Sequence, residues 1–301
     1  MTTENQKSPG QPAGHVLTSK LPFVLVHGGW QGAWAYERVI PQLAGLGHTA
    51  VARDLPAHGL NARFPVSYLA RPFDSSAFAT EESPVAATTL EDYVASVIQT
   101  IEEVRSHGHD KVVLVGHSMG GLAITGVAER VPQHIAHLVY VAAFMPKSGA
   151  SLFDYHAAPE NSGERIGPLA KADPAIVGAL RMDYRSDDPA CRANGRMALC
   201  SDMSEEDYLS MSSMMTPDAP LAPLITPLVT TQEGWGSVRR HYVKCLQDEA
   251  IRPALQQRFI EEADAFVPAR LTTVHEMDAS HLPLLSQPGA LAELLSRIAA
   301  S

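Results

Sequence analysis

The sequence predicts an α/β protein in which a mostly parallel sheet is flanked by helices. Short apolar runs of strand length recur along the chain, and segments with helical periodicity separate them. Strands and helices that alternate in this way indicate βαβ units. The alternation stops near residue 145 and resumes at about residue 237, which indicates a segment inserted between two parts of the sheet.

The first half of the chain supplies four of the predicted strands. The run Phe23–Val26 is apolar throughout and ends at a glycine turn, as expected for a strand covered on both faces. The elements predicted after it are, in order, a helix over Trp34–Leu46, a strand over His48–Leu55, a helix over Leu90–Arg105 that begins after two threonines, a strand over Lys111–Val115, a helix over Met119–Arg130 and a strand over Ile135–Phe144.

The sheet pattern returns after the insertion. Two strands, over Arg240–Leu246 and Leu271–Met277, and a closing helix over Pro288–Ala299 are predicted there. We therefore predict a core made of residues 21–144 and 237–301, with an inserted, mainly helical cap or lid at residues 145–236. Within the cap, Glu205–Met215 is one helical patch.

Two stretches have no clear periodicity. Residues 1–20 are polar and mixed, and we expect them to form a flexible tail. Residues 61–88 form a second irregular stretch, and loops of this length are usually functional or mobile. A surface insertion without a role in binding is equally compatible with its sequence.

Charge and composition restrict the partners of the chain. Its formal net charge is −10, without a basic stripe, so we expect neither nucleic acid nor an anionic membrane as a partner. No apolar run reaches the roughly 18 to 20 residues that cross a bilayer, and the start lacks a secretory signal, so we expect a cytoplasmic protein. Cys191, Cys200 and Cys245 have no CxxC spacing and are expected to be reduced, with Cys245 buried in a strand.

The segment Gly116-His117-Ser118-Met119-Gly120 matches the pattern G-x-S-x-G, with an apolar strand before it and a helix after it. In such a turn the glycines leave room for neighbouring backbone, and the serine is held exposed at the start of the helix. Ser118 is therefore the predicted nucleophile.

A serine nucleophile needs a base, and the base needs an orienting acid, which usually follow the serine in the order acid, then histidine. His281 lies in a loop between a late strand and the last helix, whereas His275 and His241 lie within strands. Asp248 follows the strand before and is the predicted acid. Its neighbour Glu249 is the main alternative. Asp278 is closer to His281 in sequence, but the two share one short loop and are not expected to face each other.

The oxyanion of a tetrahedral intermediate needs N–H donors. The backbone N–H of Met119, directly after the nucleophile, and that of Gly29, in the turn after the first strand, are the predicted donors. Asp54 and His58 lack a third ligand for a metal and are interpreted as a hydrogen-bonded loop pair. Four methionines at helical spacing either line the substrate pocket or pack inside the cap: Met203, Met211, Met214 and Met215.

Four segments together resemble the plant methylesterase and hydroxynitrile lyase branch of the α/β-hydrolases. They are His27–Trp34, Asp54–Gly59, Gly116–Gly121 and Leu246–Asp248, and the resemblance covers residues 21–300. It implies the α/β-hydrolase fold, with a mostly parallel sheet of six strands, a mainly helical cap and no cofactor.

Three positions separate esterases from lyases in this branch. The lyases carry a threonine, a glutamate and a lysine where this chain has Gly28, His117 and Leu282. The resemblance therefore implies hydrolysis rather than cyanohydrin cleavage.

These features predict a serine hydrolase that cleaves a carboxylic ester, thioester or lactone of a small to medium apolar or aromatic substrate through an acyl-enzyme. Two alternatives stay open: a C–C bond hydrolase or eliminating enzyme with the same three residues, and a small-molecule receptor without turnover. The predicted substrate contacts are Gly28, Trp30, His117, Met145 and Leu282. No metal is expected, and a homodimer is left open.

Overall fold

The computed structural model describes residues 20–301, so the predicted tail, apart from Lys20, lies outside the described residues. Within these residues, eight strands form two sheets: β1 (Phe23–Val26), β2 (Ala50–Ala52), β3 (Val112–His117), β4 (Ile135–Val141), β5 (Ala179–Arg181), β6 (Asp218–Pro220), β7 (Arg239–Cys245) and β8 (Thr273–Met277). Six of them form the main sheet, in the order β2-β1-β3-β4-β7-β8, and all neighbouring pairs are parallel. The predicted fold class is confirmed.

The strand order reverses next to β1. From β1 the chain moves outward to β2 and then returns to β3 on the other side of β1. In open parallel sheets, the crevice beyond the carboxyl ends of the strands at such a reversal is the usual place for a ligand. The loops that follow β1 and β3 therefore lie where a site is expected.

Thirteen α-helices lie within residues 20–301: α1 (Val39–Gly45), α2 (Val66–Leu69), α3 (Ser75–Thr80), α4 (Leu90–Ser106), α5 (Gly120–Arg130), α6 (Phe153–His156), α7 (Pro174–Val177), α8 (Pro189–Cys200), α9 (Glu205–Ser212), α10 (Leu221–Ile225), α11 (Pro253–Phe266), α12 (Pro283–Ser286) and α13 (Pro288–Ala299). None is long and apolar enough to cross a membrane. The start of α4 is fixed by reciprocal capping between Thr89 and Asp92.

The strands of the main sheet are buried on both faces. Along β1, Val24 and Val26 belong to one apolar cluster, which α4, α5 and α11 cover. Phe23 and Leu25, on the alternate face, belong to a second cluster, which α1 and α13 cover. This two-sided burial explains why β1 and β3 are continuous apolar runs.

Three predicted elements are shorter or divided in the structure. The helix predicted over Trp34–Leu46 consists of a 3₁₀ turn, Ala33–Tyr36, followed by α1. Pro41 lies in the first turn of α1, where backbone N–H groups have no partner within the helix, so its missing N–H costs nothing. In one continuous helix Pro41 would lie in the interior and would remove a backbone hydrogen bond.

Two predicted strands end early for local reasons. The strand predicted to continue to Phe144 ends at Val141, because Ala142 has a φ of +42°. The strand predicted over His48–Leu55 is reduced to β2, because the Leu55 N–H bonds to a side chain, His27 Nε2, instead of another strand.

The segment inserted between β4 and β7 contains α6 to α10 and, in addition, an antiparallel hairpin of β5 and β6. The sequence did not predict this hairpin, because strands of three residues have too little periodicity to detect. Residues 61–88 are more regular than predicted, since they contain α2 and α3.

Candidate active site

Ser118 lies in a left-handed turn between β3 and α5. Its φ is +53°, a value that residues with a side chain rarely adopt. A Cβ atom at Gly116 would lie 2.9 Å from the carbonyl oxygen of Gly120, and one at Gly120 would lie 2.6 Å from the carbonyl oxygen of His27. The two glycines of the motif are therefore required by close backbone contacts.

The structure brings Ser118, His281 and Asp248 together. The Oγ atom of Ser118 lies 2.9 Å from Nε2 of His281, and Nδ1 of His281 lies 2.8 Å from Oδ2 of Asp248. His281 and Asp248 are 3% and 1% exposed. The three side chains form one hydrogen-bonded chain that leads from the interior to the turn of the serine.

Asp248 is held by four donors. Oδ1 accepts the N–H groups of Ala250 and Ile251, each at 2.8 Å, while Oδ2 accepts a bond from Gln256 at 3.3 Å beside that of His281. The carboxylate therefore both closes the turn before α11 and contacts the histidine. These bonds fix its orientation.

The two alternative acids point elsewhere. Glu249 pairs with Arg252 and Arg165. Asp278 is exposed and accepts a bond from the side chain of Gln247. Among the three candidates, only Asp248 contacts His281.

Two residues beside Ser118 have backbone N–H groups that bear on the chemistry of the site. Gly29 and Met119 both line the cavity described below. Among the hydrogen bonds formed by residues 20–301, neither of their N–H groups donates to a protein acceptor. Both are therefore free to bind a ligand atom.

A cavity of about 270 Å³ opens next to Ser118. Its walls are largely apolar, and the inserted segment supplies many of them, including Leu152, Phe153, Ile166, Leu180, Ala219 and Leu224. A few polar side chains also line it: Gln31, His156, Asn161 and Glu164. The sequence did not predict these residues, because most of them lie in the irregular insert, where no motif or periodicity marks the side that faces the cavity.

Of the five predicted substrate contacts, only Trp30 lines this cavity. Gly28 lies behind the serine, where an added Cβ would be 2.8 Å from that of Ser118. Met145 and Leu282 are 1% and 0% exposed and belong to the two apolar clusters of the core. Their side chains therefore pack in the core and do not contact the cavity.

His117, the fifth predicted contact, is also fully buried. Its Nε2 atom lies 2.8 Å from the carbonyl oxygen of His281. Burial lowers the pKa of His117 well below its usual value, and the nearby His281 lowers it further. A neutral His117 that donates through Nε2 therefore anchors the backbone of His281.

Asp54 and His58, interpreted from the sequence as a loop pair, form separate hydrogen bonds. Asp54 does not bond to His58: its carboxylate accepts the N–H groups of Ala33 and Leu60, whereas His58 Nδ1 bonds to the carbonyl oxygen of Pro56. The interpretation of a hydrogen-bonded pair was therefore wrong. Within residues 20–301 no group of three or more histidine, cysteine or acidic side chains could hold a metal ion.

The methionines of the insert and the three cysteines do not line the cavity. None of the four methionines of the insert lines the cavity, and Met214 is half exposed. The three cysteines are free, and Cys245 is buried at the end of β7. Burial raises the pKa of the Cys245 thiol well above its usual value, which favours the protonated thiol over the nucleophilic thiolate.

The chain is similar to a known protein family and to named members of it. The model of the alpha/beta hydrolase family matches residues 23–294. The chain is 30% identical over 286 residues to Methylesterase 9 of Arabidopsis thaliana, which covers 92% of this chain and 97% of the relative. It is 29% identical over 289 residues to Salicylic acid-binding protein 2 of Nicotiana tabacum, with 92% and 96% covered.

A solved structure agrees with the fold. The crystal structure of a pyrethroid hydrolase superimposes with a TM-score of 0.72 and 21% identity, over 93% of this chain and 98% of that chain. At this identity the likeness concerns the fold alone. The family match and the relatives together show that the chain belongs to the α/β-hydrolase family and, within it, to the plant methylesterase-like branch.

Proposed function

We propose that the protein hydrolyses carboxylic esters, with Ser118 as nucleophile, His281 as base and Asp248 as the acid that orients the base. The observation that carries this proposal is the hydrogen-bonded chain of these three side chains at the wall of an apolar cavity. Relatives named as methylesterases favour an ester over a thioester or lactone.

The acid determines which nitrogen of His281 carries the proton. Because Oδ2 of Asp248 accepts at Nδ1, the proton lies on Nδ1 and the lone pair of Nε2 faces Ser118. His281 takes the proton of the serine as Oγ bonds to the ester carbonyl carbon. The negative charge that develops on the carbonyl oxygen is held by the N–H groups of Gly29 and Met119, which are the proposed oxyanion donors.

The intermediate then collapses with loss of the alcohol. The C–O bond to the leaving group breaks, and His281 gives its Nε2 proton to the departing oxygen, which leaves an acyl-enzyme on Ser118. A water molecule, deprotonated by His281, attacks the acyl carbon. Release of the carboxylic acid restores Ser118 with its proton.

The cavity points to a small substrate. Its volume of about 270 Å³ lies just below the range of roughly 300 to 1,000 Å³ typical of pockets for drug-sized ligands. The inserted segment acts as a cap, because it supplies apolar walls such as Phe153 and Leu180. We infer that the acid part is apolar or aromatic and that the alcohol is short.

The two alternative functions have less support. A C–C bond hydrolase would use the same three residues, but relatives such as Methylesterase 9 and Methylesterase 7 are named for ester cleavage. A receptor without turnover needs no base beside the serine, whereas here Nε2 of His281 lies 2.9 Å from Oγ. Cytoplasmic residence and a homodimer stay predictions.

The proposal is tested with p-nitrophenyl esters of increasing acyl length, with an aryl diketone and a fluorophosphonate probe alongside. We expect turnover of short esters, labelling of Ser118, and loss of both in Ser118→Ala. Ser76→Ala, at an exposed serine of α3, is the matched control and should retain full activity. Labelling at another serine, full activity in Ser118→Ala, or turnover of the diketone alone would overturn the proposal.

A further inference from the structure

Both backbone polar groups of Gly28 are bound by side chains. The N–H of Gly28 donates to Oε1 of Gln31 at 3.1 Å. The carbonyl oxygen of Gly28 lies 2.8 Å from Nδ1 of His27. The two peptide units that flank Gly28 are thus each fixed by a hydrogen bond to a side chain.

The direction of the His27 bond follows from its other nitrogen. The N–H of Leu55 donates to Nε2 of His27 at 3.0 Å, so Nε2 holds the lone pair and Nδ1 carries the proton. His27 is fully buried, and this burial lowers its pKa to about 4. At neutral pH, His27 is therefore an uncharged donor to the carbonyl oxygen of Gly28.

The same peptide unit contains the N–H of Gly29. In a planar trans peptide the C=O and the N–H point in opposite directions. Because the C=O of Gly28 is bound to the buried ring of His27, the N–H of Gly29 must point away from that ring. Gly29 lines the cavity, and within the described residues its N–H has no protein acceptor.

We propose that His27 and Gln31 are positioning residues, which hold the loop so that the N–H of Gly29 points at the carbonyl oxygen of the substrate. The inference rests on the proposed ester hydrolysis. His27 is fully buried and is not among the residues that line the cavity. It acts only through the peptide between Gly28 and Gly29.

The loop needs such restraint because of its own sequence. Two successive glycines have wide conformational freedom, and rotation of their shared peptide would turn an acceptor oxygen towards the substrate in place of a donor. A stiffer residue cannot replace Gly28, since its Cβ would lie 2.8 Å from Cβ of Ser118 and 3.0 Å from Nδ1 of His117. Side chains elsewhere must therefore supply the rigidity.

Two substitutions of His27 separate its two hydrogen bonds. His27→Asn can place an amide N–H near the position of Nδ1 and keeps the donor to Gly28. His27→Gln can place an amide oxygen near the position of Nε2 and keeps the acceptor for Leu55, but it loses that donor. The readouts are kcat and KM for a p-nitrophenyl ester, and the inhibition constant of an aryl trifluoromethyl ketone, whose adduct with serine carries an oxyanion.

We expect kcat of His27→Gln to fall by about 10- to 100-fold, less than the roughly 10²- to 10³-fold for outright loss of an oxyanion donor, because the N–H is misdirected and not removed. KM should change by less than about threefold. The ketone should bind more weakly by a similar factor. His27→Asn should remain within about fivefold of the parent in both readouts. Equal losses in the two variants, a change in KM alone, or unchanged ketone binding would overturn the inference.

A second variant covers the case in which neither His27 variant folds in a denaturation test. Gln31→Met removes the acceptor for the N–H of Gly28. Because Gln31 also lines the cavity, KM is the control for direct contact with the substrate. The variant should lower kcat and ketone affinity together, by about 3- to 10-fold, with KM changed by less than about twofold, and an unchanged kcat or a change mainly in KM would overturn the inference. Failure of the proposed function is distinguishable, because the unsubstituted protein would then show no ester hydrolysis that Ser118→Ala removes.

Discussion

The indole N–H of Trp30 donates to the carbonyl oxygen of Leu180 at 2.9 Å, so the loop after β1 and the hairpin of the insert share a hydrogen bond. The N–H of Thr216 donates to the carbonyl oxygen of Trp30 at 2.9 Å and adds a second link. Trp30 and Leu180 both line the cavity. The position of the hairpin therefore fixes one wall of the active site.

The two strands of this hairpin are joined by a buried ion pair, between Arg181 of β5 and Asp218 of β6. Nε and Nη2 of Arg181 each lie 2.7 Å from a carboxylate oxygen, and the side chains are 0% and 1% exposed. Asp218→Asn would leave the guanidinium buried without its counter-charge. We expect the free energy of unfolding to fall by about 3 to 5 kcal/mol, measured by denaturant titration at pH 7.

The exposed pair of Arg130 and Glu91 provides the matched control, since its side chains are 46% and 59% exposed. Glu91→Gln should lower the free energy of unfolding by only about 0 to 1 kcal/mol. If Asp218→Asn and Glu91→Gln lowered the free energy of unfolding by similar amounts, burial would not explain the cost of removing the partner of Arg181.

The same Arg181 explains how residues 61–88 are ordered. Its Nη1 atom donates to the carbonyl oxygens of Phe78 and Glu81. The carboxylate of Glu81 in turn accepts the N–H groups of Val66 and Ser67 at 2.8 Å. We therefore expect Asp218→Asn to increase proteolytic cleavage within residues 61–88.

The choice of acid predicts a ranking of two neighbouring substitutions. Asp248→Asn should lower kcat by about 10⁴-fold, because an amide that donates to Nδ1 would favour the wrong tautomer of His281. Glu249→Gln should change kcat by less than about twofold, since this side chain pairs only with arginines. Steady-state kinetics on one ester check the ranking, and the reverse order would assign the acid to Glu249.

The sequence could predict the proximity of Ser118, Asp248 and His281 because it depends on topology. Each residue follows a strand of one parallel sheet, so all three lie at its carboxyl edge whatever the loops do. Their chemical roles remain proposals. The cavity walls could not be predicted in this way, because they come from single-turn helices and three-residue strands in the insert.

Side-chain direction was a second limit. His117 and Leu282 adjoin Ser118 and His281 in sequence, yet both point into the interior. The left-handed φ of Ser118 exposes that residue while β3 directs its neighbour inward. A sequence pattern reports adjacency along the chain but not this change in direction.

Buried neutral histidines predict acid sensitivity. Burial and, as a smaller effect, the nearby His27 lower the pKa of His58 to about 3. An ordinary value near 6.5 applies in the unfolded chain, so between about pH 3 and 6.5 the unfolded chain binds more protons. The stability that the neutral ring contributes is thus complete above pH 6.5 and is lost as the pH falls.

We expect His58→Asn to reduce this pH dependence. Asparagine can still donate to the carbonyl oxygen of Pro56, which His58 Nδ1 contacts at 3.0 Å. The free energy of unfolding, measured by urea titration at pH 7, 6, 5 and 4, should fall less steeply in the variant, by about 1.4 kcal/mol per pH unit. Identical slopes would show that His58 does not titrate as its burial requires.

The last prediction concerns the class of reaction. Cyanohydrin cleavage releases cyanide, whose developing charge needs a nearby cation, whereas ester hydrolysis needs the oxyanion donors and a path for water. The side chain after His281 is Leu282, which is apolar and fully buried, and among residues 20–301 no lysine or arginine lines the cavity. The protein should therefore hydrolyse activated aryl esters and release no cyanide from mandelonitrile above the uncatalysed rate. If the protein released cyanide at an enzymatic rate and Ser118→Ala abolished that release, the protein would be a lyase. Ser118 would then act without forming a covalent acyl intermediate.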